Sequence, residues 1–262
     1  MEPRIALGID PFGDGTTGIK LSWSKYATMM WTWFYSLNPN GQDMTLYYIP
    51  APGVFIPIYQ SQAYEFEVDS DLRRPYVQEI FFSVDRTIGK DFMIKLSYVD
   101  RNFKDFVVTN DLNYNPADFV PYSVTSPLTG ETINLHYKIP GSTNSFDYYT
   151  NDSREKRHYR AFIVEVIKRL SNNYQFRLNY TWSRLTGTNS STSAMMSANA
   201  YWNWPDAEYN NVDGILSGDR THVIKFSGIW YAPLGFVLSA NYTGASGYPW
   251  TAYFRTPAPP YG

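Results

Sequence analysis

The stretch that decides the fold reads Tyr-Gln-Phe-Arg-Leu-Asn-Tyr-Thr-Trp-Ser, from Tyr174 to Ser183. Every even-numbered position in it is aromatic or aliphatic, and every odd-numbered position is polar. A period of two residues is typical of a β-strand, because successive side chains point to opposite faces of the sheet. The stretch therefore predicts a strand with an apolar face rich in aromatic rings and a polar face.

The same pattern recurs in pairs of segments that are joined by short turns. The predicted pairs are residues 4–10 with 18–26, 76–85 with 92–103, 158–170 with 174–185, and 221–231 with 236–243. Long polar connections separate the pairs, and in bacterial outer-membrane barrels the long loops lie outside and the short turns face the periplasm. We therefore predict an all-β fold, a portion of an antiparallel up-and-down transmembrane β-barrel with about eight strands. Its short periplasmic turns lie near Gly13, Gly89, Asn172 and Gly235.

Composition supports a membrane wall made of strands. Aromatic residues make up 18% of the 262 residues and charged residues another 18%, and the chain has no cysteine. No run approaches the eighteen or so consecutive apolar residues that a membrane helix needs. The net charge of -2 gives no basic surface for nucleic acid, and the lack of cysteine excludes disulfides and thiolate metal sites.

A soluble protein offers an alternative interpretation of the same alternation. Antiparallel β-sandwiches also alternate apolar and polar positions, and their hairpins also turn on Gly, Asn and Pro. Such a chain would be a secreted β-sandwich that binds polysaccharide through exposed aromatic rings. Three long loops and aromatic residues near the strand ends favour the barrel.

Several segments resemble one family, the TonB-dependent receptors of bacterial outer membranes, in particular the adhesin-like branch with long extracellular loops. The segments are PFGDG at 11–15 between the first two predicted strands, VEVIKRLSNNYQFRLNYTWS at 164–183, and GDRTHVIKFSG at 218–228. Asp213 with Gly214 and the SGYP stretch at 246–249 are also similar. In that family Pro usually stands where this chain has Thr221.

The resemblance implies both the architecture and the activity of the whole protein. Such receptors resemble a closed barrel of about 22 strands with a plug in the lumen. Residues 1–262 are then expected to be a fragment, part of a single outer-membrane β-barrel domain without the plug and the remaining strands. The resemblance further implies import of an unknown external ligand, driven by an inner-membrane energy-coupling complex that acts on the plug. Outer-membrane lipid is the other expected partner, and the expected location is the bacterial cell outer membrane.

Charged residues at polar positions of the predicted strands are candidates for the lumen. They are Glu79, Lys95, Arg101, Glu165, Arg177 and Lys225. Two interpretations remain open for them. They form a hydrated, cross-strand paired wall, or they line a path for the ligand.

Two further groups of residues lie in the predicted loops. Flat aromatic rings bind ligands at low entropic cost, which makes the loop tryptophans candidates for ligand contact: Trp31, Trp33, Trp202, Trp204 and Trp250. Their other possible role is to pack the loops together. Asp219 and Arg220 precede a strand at the outer rim, where we expect them to pin the preceding loop.

No pattern in the sequence indicates an enzyme. His136, His158 and His222 are far apart, and none has a second ligand at a metal-binding spacing. The chain also lacks a GxSxG nucleophile motif. We therefore expect no catalytic residue, no metal and no cofactor.

Overall fold

The computed structural model describes residues 2–28, 44–61, 66–127, 129–188, 201–210 and 212–250. Within these ranges the chain is built mainly from strands, with one short α-helix, α1 (Ala207–Asn210), and two 3-10 turns, Pro116–Asp118 and Pro233–Gly235. The strands are β1 (Arg4–Ile9), β2 (Thr17–Ala27), β3 (Met44–Ala51), β4 (Val54–Ser61), β5 (Phe66–Val68), β6 (Tyr76–Ile88), β7 (Phe92–Lys104), β8 (Val107–Asp111), β9 (Phe119–Thr125), β10 (Thr132–Lys138), β11 (Asp147–Asn151), β12 (Arg157–Ser171), β13 (Tyr174–Gly187), β14 (Gly214–Ile215), β15 (His222–Tyr231) and β16 (Val237–Ala245). In the described part of the chain, no helix has the length and apolarity to cross a bilayer.

One large antiparallel sheet contains all the predicted hairpins. Its strand order is β1-β2-β6-β7-β12-β13-β15-β16, and the short β14 pairs with the end of β13. Each hairpin also pairs with the next one along the chain, as in an up-and-down barrel. The predicted architecture is confirmed, and the predicted strand bounds differ from the observed ones by only a few residues.

The short turns have the backbone geometry that their residues favour. Asn172 and Asn173 connect β12 to β13, and both have positive φ, 51° and 66°. A two-residue turn with positive φ at both positions matches the right-handed twist of the strands it joins. At the first turn, the Asp10 carboxylate accepts hydrogen bonds from the backbone N–H groups of Phe12, Gly13 and Gly15.

The register places the apolar positions of neighbouring strands side by side. One row runs from Leu21 through Phe82, Tyr98 and Phe162 to Trp182, each opposite the next on the adjacent strand. We call the side of the sheet that carries this row the apolar face. Phe162 and Trp182 keep 52% and 51% of their surface exposed, so no second sheet formed by the described residues covers them. The β-sandwich alternative is therefore wrong.

The connections at one end of the large sheet, which we call the outer end, fold together. Three of them contribute to a compact unit, the loop domain, made of residues 66–72, 106–151 and 201–210. In it β11 pairs parallel with β5 and antiparallel with β8, and β9 and β10 form a hairpin. Phe66, Val107 and Tyr149 form one buried cluster. The sequence predicted long polar loops here. The pairing of β5, β8 and β11 joins distant residues and leaves no local signal, whereas the β9–β10 hairpin is local and was missed.

Candidate functional site

The polar positions of the large sheet also fall on one side, which we call the polar face. It carries Glu79 on β6, Arg101 on β7, Glu165 on β12, Arg177 on β13 and Lys225 on β15. Arg101 Nε donates to Glu79 Oε2 at 2.5 Å, and Arg177 donates to Glu165 on the neighbouring strand. The first four of these charges lie in two cross-strand pairs, so a sheet face that contacts water can hold them at low cost.

A second row of charges alternates in sign across the strands. Each member of this row is the register partner of the next one on the adjacent strand, in the order Asp85, Lys95, Glu165, Asn179, Lys225. Lys95 therefore lies between two carboxylates, one on each neighbouring strand. Lys225, at the end of the row, faces only an amide on β13 and has no ion pair within the described ranges.

Two connected grooves lie over β12, β13, β15 and β16. Their volumes are about 430 and 570 Å³, and they share Arg177, Ser227 and Asn241. Between the charges the lining mixes apolar side chains with hydroxyl and amide groups such as those of Ser227 and Asn241, and Lys225 lies in the smaller groove. Such a surface can hold a hydrated ligand through hydrogen bonds and can attract an anionic group through Lys225.

The structure brings three of the six predicted lumen residues together here. Glu165 pairs with Arg177, which lines both grooves, and Lys225 lines one of them. Lys95 lies one strand away from the Glu165–Arg177 pair. The pair of Glu79 and Arg101 lies apart, nearer the outer end of β6 and β7. Whether this polar face lines a lumen remains a prediction.

At the outer end, Asp111 is the polar centre of the loop domain. Its carboxylate is buried and accepts hydrogen bonds from the backbone N–H groups of Asn113 at 2.9 Å and Phe146 at 3.0 Å. It also accepts one from the indole N–H of Trp204 at 3.1 Å, and Lys138 Nζ lies 3.7 Å away. Burial alone would raise the pKa of Asp111, but these hydrogen bonds lower it below the ordinary value of 3.8.

Two of the tryptophans predicted to contact ligand, Trp202 and Trp204, lie within the loop domain and differ in burial. Trp202 is 4% exposed and packs with Val108 and Ala207. Its assignment to ligand contact is therefore wrong, because its ring is enclosed by the loop domain. Trp204 is half-buried against Phe119 and donates to Asp111.

The other three candidate tryptophans lie at or beyond the limits of the described chain. Trp250 has 85% of its surface exposed and remains a candidate for ligand contact. Trp31 and Trp33 lie outside the described residues.

Asp219 and Arg220 make the contacts that a loop-pinning role requires. Asp219 is buried and accepts hydrogen bonds from the backbone N–H of Leu185 at 2.6 Å and the hydroxyl of Thr221 at 2.9 Å. Arg220 donates to the carbonyl oxygen of Ser246, and its guanidinium lies 3.7 Å from the centre of a neighbouring tyrosine ring. These contacts connect the end of the third long connection to β13 and to the segment after β16.

Sequence reasoning missed the polar residues that connect the long loops. Asn203 donates to the carbonyl oxygen of Asp111 and accepts from its N–H, across 92 residues. Asp206 accepts from the backbone N–H of His136, and its other carboxylate oxygen lies 3.0 Å from His136 Nδ1. No sequence signal could have paired these residues. In the part of the chain that the structure describes, no cluster of three or more His, Cys, Asp or Glu side chains could hold a metal.

A family model described as an outer membrane beta barrel domain matches residues 36–247 of this sequence. The match covers most of the chain and extends from the first long connection to the segment after β16. The chain belongs to this outer-membrane β-barrel family. The protein is therefore located in the outer membrane. Contact of the apolar face with lipid is what a barrel wall of this kind is expected to make.

A solved structure agrees with the family assignment at the level of the fold. The chain is similar to the outer membrane transporter YddB from Escherichia coli, with a TM-score of 0.53 and 13% sequence identity. The similarity covers 92% of this chain and 28% of that one, so the family member described here spans about a quarter of the transporter's length. No curated protein matches the sequence.

Proposed function

We propose that this chain forms part of the wall of a TonB-dependent receptor that binds an external ligand and imports it. The observation that carries the proposal is the sorting of the large sheet. One face is apolar, the other carries ion pairs and polar grooves, and a folded loop domain lies at the outer end only. A transporter wall needs this combination, because lipid contacts one side and a hydrated path lies on the other.

The chemistry of the polar face favours a hydrophilic ligand. Hydroxyl and amide groups from Asn179, Ser227 and Asn241 can exchange hydrogen bonds with a passing molecule. Lys225 adds a cationic group without a paired carboxylate among the described residues, and it would favour a ligand with anionic groups. The proposed role involves no bond cleavage, so it needs no catalytic residue and no cofactor.

The energy coupling in this proposal rests on the family resemblance. In the complete receptor a plug would contact the polar face, and an inner-membrane complex would move the plug. Glu165, Arg177 and Lys225 would then either contact the plug or line the ligand path. Either role requires the polar face to contact water.

Cysteine labelling tests the water-filled side directly, because the natural chain has no cysteine. In the full-length protein reconstituted in bilayers, Lys225→Cys should react rapidly with a charged methanethiosulfonate. The matched variant Ile224→Cys lies on the apolar face and should react only with a lipid-soluble maleimide. Equal labelling of both cysteines by the charged reagent would overturn the proposal.

Energy dependence separates an energised receptor from a passive pore. In living cells that carry the full-length Lys225→Cys protein, the rate of labelling should fall when a protonophore dissipates the proton-motive force. A rate that is unchanged by the protonophore contradicts energy-coupled import. The amount of folded protein in the outer membrane, measured in the same cells, serves as the control.

A further inference from the structure

Two arginines stand directly opposite each other on the apolar face. Arg160 of β12 is the register partner of Arg184 of β13, and both side chains point to the side that carries Phe162 and Trp182. Like charges on directly opposed positions of an antiparallel pair are destabilising. On the lipid-facing side of a membrane protein each charge also carries a cost that grows with its depth in the bilayer. The arrangement therefore needs a compensating negative charge.

The protein supplies that compensation on one side only. Asp100 of β7 lies 3.3 Å from Arg160 Nε, and the same carboxylate accepts from the Tyr98 hydroxyl and lies 3.0 Å from His158 Nε2. Arg184 stands on the far side of Arg160 from Asp100. It is exposed, and no carboxylate within the described ranges pairs with it. Among the residues that the structure describes, one positive charge is left without a partner at this point.

The two arginines stand at a particular level of the wall. Arg160 is three residues from the start of β12, and Arg184 is three residues from the end of β13, so both are close to the outer end. Next to them, on the side away from the loops, lies the row of apolar side chains that runs from Leu21 to Trp182. Tyr98 and Phe162 have ring centres 4.8 Å apart, and Phe162 stacks on Trp182 at 5.8 Å.

A shallow groove joins the cationic and aromatic parts. Its volume is about 660 Å³, and its lining combines both arginines with aromatic rings of four strands: Phe82, Tyr98, Arg160, Phe162, Trp182, Ser183 and Arg184. The groove is cationic at its outer edge and apolar below it. An amphiphile with an anionic headgroup and hydrocarbon chains has the complementary shape and polarity.

We propose that this groove binds a phosphate-bearing lipid of the outer leaflet. The phosphate would lie between the guanidinium groups of Arg160 and Arg184, which can donate two parallel hydrogen bonds each to phosphate oxygens. The acyl chains would pack on Phe162 and Trp182. Binding replaces the repulsion between the arginines with two attractive contacts, and it gives Arg184 the partner that the described part of the chain does not provide.

Native mass spectrometry of the full-length protein tests the proposal. The protein, in neutral detergent, is incubated with diphosphoryl lipid A or with the same lipid after dephosphorylation. We expect the wild type to bind the phosphorylated lipid, and Arg184→Gln to bind it about tenfold more weakly, since one charge-assisted contact has been removed. Lys20→Gln is the matched control, because it removes one positive charge from the polar face, away from the groove.

Three further results decide the matter. The dephosphorylated lipid should bind the wild type and Arg184→Gln equally, and Arg184→Lys should recover part of the lost affinity. In lipid-free detergent Arg184→Gln should be at least as resistant to heat as the wild type, because the repulsion between the two arginines is gone.

The proposal is overturned if Arg184→Gln and Lys20→Gln bind the phosphorylated lipid alike. Displacement of that lipid by inorganic phosphate alone, or a dimer that covers the groove instead of lipid, would also overturn it.

Discussion

The buried carboxylate of Asp111 offers the sharpest test of how the loop domain is held together. We predict that Asp111→Asn, which keeps the size of the side chain, opens the loop domain without unfolding the large sheet. One carboxylate oxygen accepts the N–H groups of Asn113 and Phe146, and the other accepts the indole N–H of Trp204. An asparagine has only one acceptor oxygen, so one of the two sides must meet an NH2 group.

The expected cost follows from these three bonds. Two of them would lose charge assistance, at about 1 kcal/mol each, and one buried donor would lose its acceptor, at roughly 1–3 kcal/mol. The loop domain should therefore lose at least about 3 kcal/mol. Since each 1.4 kcal/mol is about a factor of ten, hydrogen exchange of β8 and of residues 201–210 should accelerate on the order of a hundredfold.

The pH dependence gives an independent check on the same carboxylate. The pKa of Asp111 is lowered in the folded protein, so its charge stabilises the loop domain fully above the unfolded value, and that contribution is lost as the pH falls through the folded value. After correction for the pH dependence of intrinsic exchange, the wild-type amides of β8 should stay protected from hydrogen exchange to below pH 3.8. Asp111→Asn should lack this transition.

The control for both measurements is Asp71→Asn, which removes an exposed carboxylate from the same loop domain. It should leave exchange of β8 unchanged. Peptides of β12 and β13 should exchange equally in every variant. If Asp111→Asn protects β8 as well as the wild type does, the reasoning that a buried charge organises these loops is refuted.

Two further predictions concern the large sheet. Gly187→Ala should lower the free energy of unfolding in urea by about 2 kcal/mol or more, because φ at Gly187 is +150° and a Cβ there would overlap the carbonyl oxygen of Lys156. The control Gly8→Ala should be nearly neutral, because a Cβ at position 8 would meet nothing within 4 Å. In a double-mutant cycle, Glu165→Gln and Arg177→Gln should couple by about 1 kcal/mol, and strictly additive effects would show that their ion pair contributes nothing.

The sequence was sufficient to predict the large sheet because the signals there are local. Alternation assigns each strand a face, and asparagines at 172 and 173 fix a two-residue turn. Once adjacent hairpins pair, the register of the polar and apolar positions follows from the pattern. Phe81, which breaks the alternation, lies on the polar face near Lys95, 5.7 Å from its ammonium nitrogen.

The loop domain could not be predicted because its contacts join distant segments. Phe66 packs on Tyr149 at 5.4 Å between ring centres, and Trp202 packs on Val108. Nothing in the sequence around Trp202 or Trp204 distinguishes a buried ring from a ligand-binding one. The opposition of Arg160 and Arg184 is hidden for the same reason, since it exists only after β12 and β13 are in register.

The joining of three long connections into one loop domain has a consequence for how this surface can change. Asn203 and Trp202, from the last connection, insert between residues of the middle one, and Asn151 donates to the carbonyl oxygens of both Arg73 and Phe106. A substitution that alters one connection therefore disturbs the packing of the other two. We therefore expect tolerated substitutions in the loop domain to be confined to its exposed side chains. Recognition can diversify there while the buried contacts between the connections stay the same.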